Sequence, residues 1–198
     1  GIDPRSLARS VVNLGTKGGA STITMQTAKN LFTENWGTSN IFFCIILKLK
    51  ECIIAVKLER NFTKEEIINL YLNTVAFGDN VFGIRNASKT FFQKEPDRVN
   101  IEEAAVLIAM VNAPSLFNPR TNPANSRNRR NLVYDQMVRN EYLSADEAAK
   151  LKLAPIKLNY KKLDETAGLA PYFRMVLGEE LKAWCKQHTK NDGEHYNL

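Results

Sequence analysis

No stretch of this 198-residue sequence could cross a bilayer as a helix: its longest unbroken apolar run, Ile41 to Leu47, falls far short of the about 20 residues such a span needs. Cysteine is scarce and irregularly placed. Cys44, Cys52 and Cys185 form neither an even disulfide set nor a metal-spaced pair. On one helix Cys44 and Cys52 would stand roughly 12 Å apart, beyond disulfide reach. All three read as free thiols, and no zinc site is expected. His188 and His195 both fall in a polar C-terminal stretch, which argues against a histidine triad or a histidine metal site. No internal repeat and no convincing alternating strand pattern occurs. The chain opens on Gly1 without a charged n-region followed by an apolar h-region, so it reads as a piece of a longer protein.

What is present points to one helical core. A hydrophobic share of 44% rejects wholesale disorder, and 27 Lys+Arg against 21 Asp+Glu, a net charge of +6, suggests an anionic partner. Nucleic acid, a negative membrane surface and a phosphorylated substrate all fit that charge. Thr63-x-x-Glu66 is a capping box opening a helix to about Asn73, with Ile67, Leu70 and Tyr71 on one face. Asn100 caps the next helix, with Glu103 in its first turn, and Pro114 ends it. Its apolar residues cover most of its circumference, so it should be buried. Asn122-Pro123 starts a helix with Val133, Met137 and Val138 inward, Ser144-x-x-Glu147 starts another, and a last one begins at Pro171. Residues 154–170 lack helical period and hold Pro155 and Gly168, so a connector with a domain boundary near residue 155 is expected.

Three segments could carry chemistry. In GGASTITMQTAKN, residues 18 to 30, glycines, the side chains of Ser21, Thr22, Thr24 and Gln26, and the cation Lys29 make a phosphate cradle or else a plain loop before a capped helix. In KLKECIIAVKLER, Lys48, Glu51, Ala55 and Glu59 share one helical stripe, while Ile46, Leu49, Ile53 and Val56 line the opposite side. That stripe is either a site, with Ala55 leaving room for a ligand, or a solvated face with ordinary i,i+3 pairing. Arg120, Arg127, Arg129 and Arg130 could hold a diphosphate or a nucleic-acid backbone, or simply charge a surface.

Taken in order, GGASTITMQTAKNLF, KLKE, TKEEIINLYLN, and APSLFNP followed by RRNLV resemble the second to fifth motifs of the peptidoglycan glycosyltransferase domain of bifunctional class A penicillin-binding proteins. The resemblance implies an all-α, two-lobed, lysozyme-like glycosyltransferase domain over residues 1–153 and a connector over 154–198 toward a transpeptidase domain. It implies polymerisation of lipid II into glycan strands: the 4-hydroxyl of an acceptor GlcNAc attacks C1 of a donor MurNAc with inversion, and undecaprenyl diphosphate departs. Glu51 matches the family's third-motif catalytic glutamate. Ser21, Thr22, Gln26, Lys29, Lys48, Lys50 and Arg130 would serve substrate binding, with Tyr71, Asn73 and Arg130 bracing the site. No metal site is implied, although relatives are often helped by Mg²⁺ or Mn²⁺ at the diphosphate. The implied partners are lipid II, the growing glycan strand and, through residues 41–47, a membrane surface; nucleic acid is not among them. The implied location is the outer face of the bacterial cytoplasmic membrane, with an N-terminal anchor outside this sequence.

The sequence also departs from the family. Gly1 resembles the closing glycine of the first motif, which places the general-base glutamate upstream and predicts a fragment that polymerises poorly or not at all. Ala20 stands where a glycine is usual, Met25 for a glutamine, Leu47 for an arginine and Asn69 for a glutamate, and no Lys or Arg lies between Asn30 and Lys48. Two other readings compete: a lysozyme-like or lytic glycan-cleaving enzyme, and a non-catalytic basic helical module that binds membrane. The glycosyltransferase reading requires Glu51 to look into the same cavity as the stretch ending at Lys29.

Overall fold

The computed structural model describes residues 21–32, 41–162 and 171–188, apart from the side chains of 41–44, 171, 174 and 175. The chain falls into two compact units, 1–161 and 162–198. In the first, α1 (Ile23–Phe32), α2 (Ile41–Asn61), α3 (Lys64–Thr74), α4 (Ile84–Phe92), α5 (Ile101–Asn112), α6 (Pro123–Arg139) and α7 (Ala145–Leu153) follow one another, with a 3₁₀ turn at Pro96–Arg98. The second holds α8 (Pro171–Gln187). Among the described residues no strand forms beyond one isolated antiparallel bridge, Ala76 to Phe82, so the all-α expectation holds.

The helix starts follow local hydrogen bonding. Thr63 Oγ1 accepts from Glu66 N while Glu66 Oε2 accepts from Thr63 N, and the same reciprocal pairing joins Asn100 with Glu103 and Ser144 with Glu147. Each box satisfies two amides that a helix N-terminus leaves free. Pro123 opens α6 as expected, but Asn122 does not cap it: its amide donates to the Ser115 carbonyl instead.

Two packing groups meet at α3. The α1, α2 and α3 helices close on Ala28, Leu58 and Ile67. Beyond them, Tyr71, Val75, Phe77, Phe91, Val106, Leu107 and Met110 form the main core. Phe77 and Phe91 are fully buried, which stabilises the fold by roughly 2 kcal/mol each. On its other side α5 meets α6 and α7 through Ala105, Tyr134 and Ala148, with Val133, Met137 and Val138 against them. The expected burial of α5 holds for Ala105, Val106, Leu107, Ala109 and Met110, while Ile101 and Ile108 stay exposed.

Residues 155–161 pack back on the first unit as an extended segment. Asn159 N and Lys161 N donate to the carbonyls of Phe91 and Thr90, and Ile156, Leu158 and Tyr160 join the main core. Arg120 fastens this segment from outside: it forks onto Asp79 at 3.0 and 2.9 Å and lies over the Tyr160 ring. In α8, Phe173, Leu177, Leu181 and Trp184 have the expected three- and four-residue spacing and remain exposed.

Acid should loosen this fold through named carboxylates. Arg120 holds Asp79 below the usual carboxylate range, and donation from Thr63 and Ser144 does the same for Glu66 and Glu147. A folded pKa below the unfolded one gives stability that is present above the unfolded value, about 4, and is lost as pH falls through the folded values. Thermal melts followed by circular dichroism from pH 7 to pH 2 should therefore hold level and then decline below about pH 4. Asp79→Asn should flatten part of that decline.

Candidate active site

The site is built where the polar stripe of α2 meets the head of α1. In a surface helix the apolar stripe normally turns inward; in α2 Leu47, Ala55 and Leu58 do so, but Glu51 turns inward with them and a second apolar stripe faces out. Glu51 is 1% exposed and Ala55 and Leu58 are buried, while Leu49 and Ile53 are 58% and 59% exposed, with Ile45, Ile46 and Val56 exposed beside them. The solvated-face reading of this stripe is thereby excluded. Ala55 also leaves no room for a ligand, because its small size is used up in close packing.

An ammonium satisfies the buried acid. Lys48 Nζ donates to Glu51 Oε2 at 2.7 Å and to Ser21 Oγ, just before α1, at 2.5 Å. Lys48 keeps 29% of its side chain exposed, so the pair is open from one side. The second carboxylate oxygen, Glu51 Oε1, is buried and accepts from no donor among the described residues. An orphaned buried acceptor costs about 1–3 kcal/mol and calls for a physical reason, a role in chemistry among them. Further along the stripe, Glu59 bonds Lys64 and Thr24, and chiefly Lys64 holds its carboxyl well below the usual range. That end of the stripe ties α1, α2 and α3 together.

The α1 residues divide between site and scaffold. Thr22 Oγ1 accepts from Met25 N and caps the helix. Gln26 Nε2 donates to the Ser21 carbonyl at 3.3 Å, and Tyr71 on α3 donates to Gln26 Oε1 at 3.1 Å. Lys29 shares the Gln26 face at i+3 and is half-buried, but it lies in the last turn of α1. A cradle with Lys29 at the helix start is therefore not what forms; the cation at the head of α1 is Lys48, brought in from α2. Gly18, Gly19 and Ala20 lie outside the described residues. Met25 and Leu47, two of the departures noted from the resemblance, are both buried and so fall on core positions.

Other candidates stand apart. Lys50 is exposed and turned about 100° around the helix from Glu51. Arg130 is completely buried: it donates to Asn131 Oδ1 and the Lys152 carbonyl and lies over the Tyr134 ring, and none of these partners belongs to α1 or α2. Arg120 is held by Asp79 and Tyr160, Arg129 lies over Phe117, and Arg127 is exposed. The expected arginine cluster thus does not converge on one anion. Cys52, next to Glu51, has its thiol pushed up by burial, with Lys48 opposing. Sequence reading left the Tyr71 to Gln26 bond unseen, since no local signal links residues 45 positions apart.

Known proteins carry similar segments. The family model described as transglycosylase matches residues 1–138. Penicillin-binding protein 1F of Bacillus subtilis is 37% identical over 183 residues, covering 90% of this chain and 25% of that protein. Penicillin-binding protein 1A of Haemophilus influenzae is 35% identical over 164 residues, covering 81% and 18%. A crystal structure of penicillin-binding protein 1A from Haemophilus influenzae aligns with a TM-score of 0.46 at 20% identity, covering 83% of this chain and 20% of that one. The chain therefore spans about a quarter or less of the length of these relatives. A family match over residues 1–138 takes in both the Ser21 loop and the Lys48–Glu51 pair that meet in this site, and the chain belongs to the transglycosylase family.

Proposed function

We propose that this chain is the glycosyltransferase part of a protein that polymerises lipid II into peptidoglycan strands. The observation that carries the reading is the buried Glu51, held on one oxygen by a Lys48 that also grips Ser21 at the head of α1. In the reaction a bond forms between the acceptor O4 and the donor C1, and the bond from C1 to the diphosphate oxygen breaks. The hydroxyl proton passes to a base, and negative charge builds on the departing diphosphate. Lys48, Ser21 and the free amides at the start of α1 suit that charge, since fixed donors in a partly dry site need no reorganisation. Glu51 anchors Lys48 and leaves its Oε1 without a partner, available to the donor side.

No group of three or more His, Cys, Asp or Glu side chains gathers among the described residues. A Mg²⁺ or Mn²⁺ held through the substrate's diphosphate needs only one or two protein carboxylates and would supply countercharge to the leaving group.

The outward apolar stripe of α2 supplies the substrate's route. No described helix is long and apolar enough to cross a membrane. Ile45, Ile46, Leu49, Ile53 and Val56, with Lys50 and Lys57 exposed nearby, suit a helix lying in the interface, apolar side in the acyl boundary and cations at anionic head groups. A polyprenyl-linked donor in that layer would then meet Lys48 without leaving it. The reading carries with it an outer-face location on the cytoplasmic membrane and a transpeptidase domain in the same protein.

Labelled lipid II given to the full-length protein in detergent or vesicles should yield glycan strands and released undecaprenyl diphosphate. Soluble muropeptides released from sacculi, with no strands formed from lipid II, would overturn the reading in favour of glycan cleavage.

A further inference from the structure

We infer that Tyr71 is a positioning residue which, through Gln26, fixes the Ser21 segment so that the Ser21 hydroxyl and Lys48 together present two donors to an oxyanion. The inference rests on the diphosphate reading above and names how that oxyanion is held.

The polarity of the chain of bonds follows from what each group can do. A backbone carbonyl only accepts, so the group facing the Ser21 carbonyl at 3.3 Å must be the amide nitrogen of Gln26. That orientation turns Gln26 Oε1 to Tyr71, 3.1 Å away, and an amide oxygen only accepts, so the phenol must donate. Tyr71 is suited to this: it is buried, and burial pushes its phenol up, keeping the proton on it.

From Ser21 the chain continues with the same logic. An ammonium only donates, so Lys48 spends one N–H on Ser21 Oγ and one on Glu51 Oε2. Ser21 Oγ is thereby the acceptor of that bond and its own proton is free to point elsewhere, as is the third N–H of Lys48. Two donors on neighbouring atoms, next to the unfilled amides of the α1 start, form an oxyanion clamp whose hand is set at Tyr71. Ser21 lies before the helix, where the chain has no helical bonds of its own to hold it. The Gln26 bond supplies that restraint, and Tyr71 is anchored in the main core at its other end.

The test is Tyr71→Phe in the full-length protein, which removes one oxygen and keeps the ring in the core. Lipid II polymerisation should fall about tenfold in kcat with KM little changed, since the loss is one hydrogen bond realised at the departing charge. Thermal melting of the variant tells a local effect from unfolding. In a Lys48→Met background, where the clamp is already gone, Tyr71→Phe should cost nothing further; an additive loss in the double variant would overturn the inference. Side-chain amide signals of Gln26 in ¹H–¹⁵N spectra give a readout that needs no turnover. They should move in Tyr71→Phe, and binding of inorganic diphosphate by calorimetry should weaken several-fold. Unchanged Gln26 signals and unchanged diphosphate binding would sink the relay even if polymerisation proceeds. If the wild-type protein makes no strands while both of those readouts shift, the proposed function fails and the relay stands.

Discussion

Glu51→Gln in the full-length protein should lower lipid II polymerisation by about 10²- to 10⁴-fold, the range for removing a group that acts on the reacting atoms. The substitution keeps the volume of the side chain, so packing around α2 should survive. What changes is charge. Glu51 is 1% exposed and is paired with Lys48 at 2.7 Å. An amide cannot neutralise that ammonium, and an amide NH₂ facing Lys48 would put two donors against each other. Lys48 would then swing toward solvent, through the 29% of it already exposed, and release Ser21 as well. One substitution thus removes the carboxylate and disperses the donors around it, which is why the expected loss exceeds that for Tyr71→Phe. Polymerisation assays on labelled lipid II at saturating substrate measure it. Turnover within a few-fold of wild type would sink the assignment of Glu51. A purely membrane-binding module would instead bind anionic vesicles as well or better after this substitution, because an anion has been removed.

Gly83→Ala should destabilise the first unit strongly. Gly83 sits at φ +80, ψ 146, a conformation nearly restricted to glycine, and an added Cβ would lie 2.7 Å from the Asn73 carbonyl oxygen. The backbone cannot shift freely, because Gly83 N donates to the Val75 carbonyl and its own carbonyl accepts from Ala87 N. Strain of this kind costs about 1–3 kcal/mol, and relieving the clash adds to it, so about 3 kcal/mol is expected. For a chain of this size that lowers Tm by roughly 10 °C in a calorimetric or dichroism melt. Gly178→Ala is the contrast: nothing lies within 4 Å of a Cβ there, and in the middle of α8 alanine should be neutral or stabilising. Equal effects at the two positions would refute the steric argument.

Much of this molecule is readable from short windows of sequence. The three capping boxes at Thr63, Asn100 and Ser144 form as expected, because each involves residues three positions apart whose bonding needs no tertiary partner. The order of the motifs led to the right family for the same reason. The extended segment 155–161 carries a period of two rather than a helical one. Ile156, Leu158 and Tyr160 alternate with Lys157, Asn159 and Lys161, a period of two that matches one side packed on the core. Arg130 was legible as a cation but not as a buried one, since the Lys152 carbonyl reaches it only when α7 packs on α6.

The sequence by itself determined where helices begin, that α2 carries one charged and one apolar stripe, and which side chains were available for chemistry. Only the tertiary structure decided which stripe of α2 turns inward. Period alone cannot choose, because both stripes repeat every 3.6 residues. Burying Glu51 costs more than burying isoleucine unless a cation accompanies it. Lys48 comes with it along the helix, but the hydroxyl that completes the group lies 27 residues away, at Ser21, and reaches it only through the packing of α1 on α2.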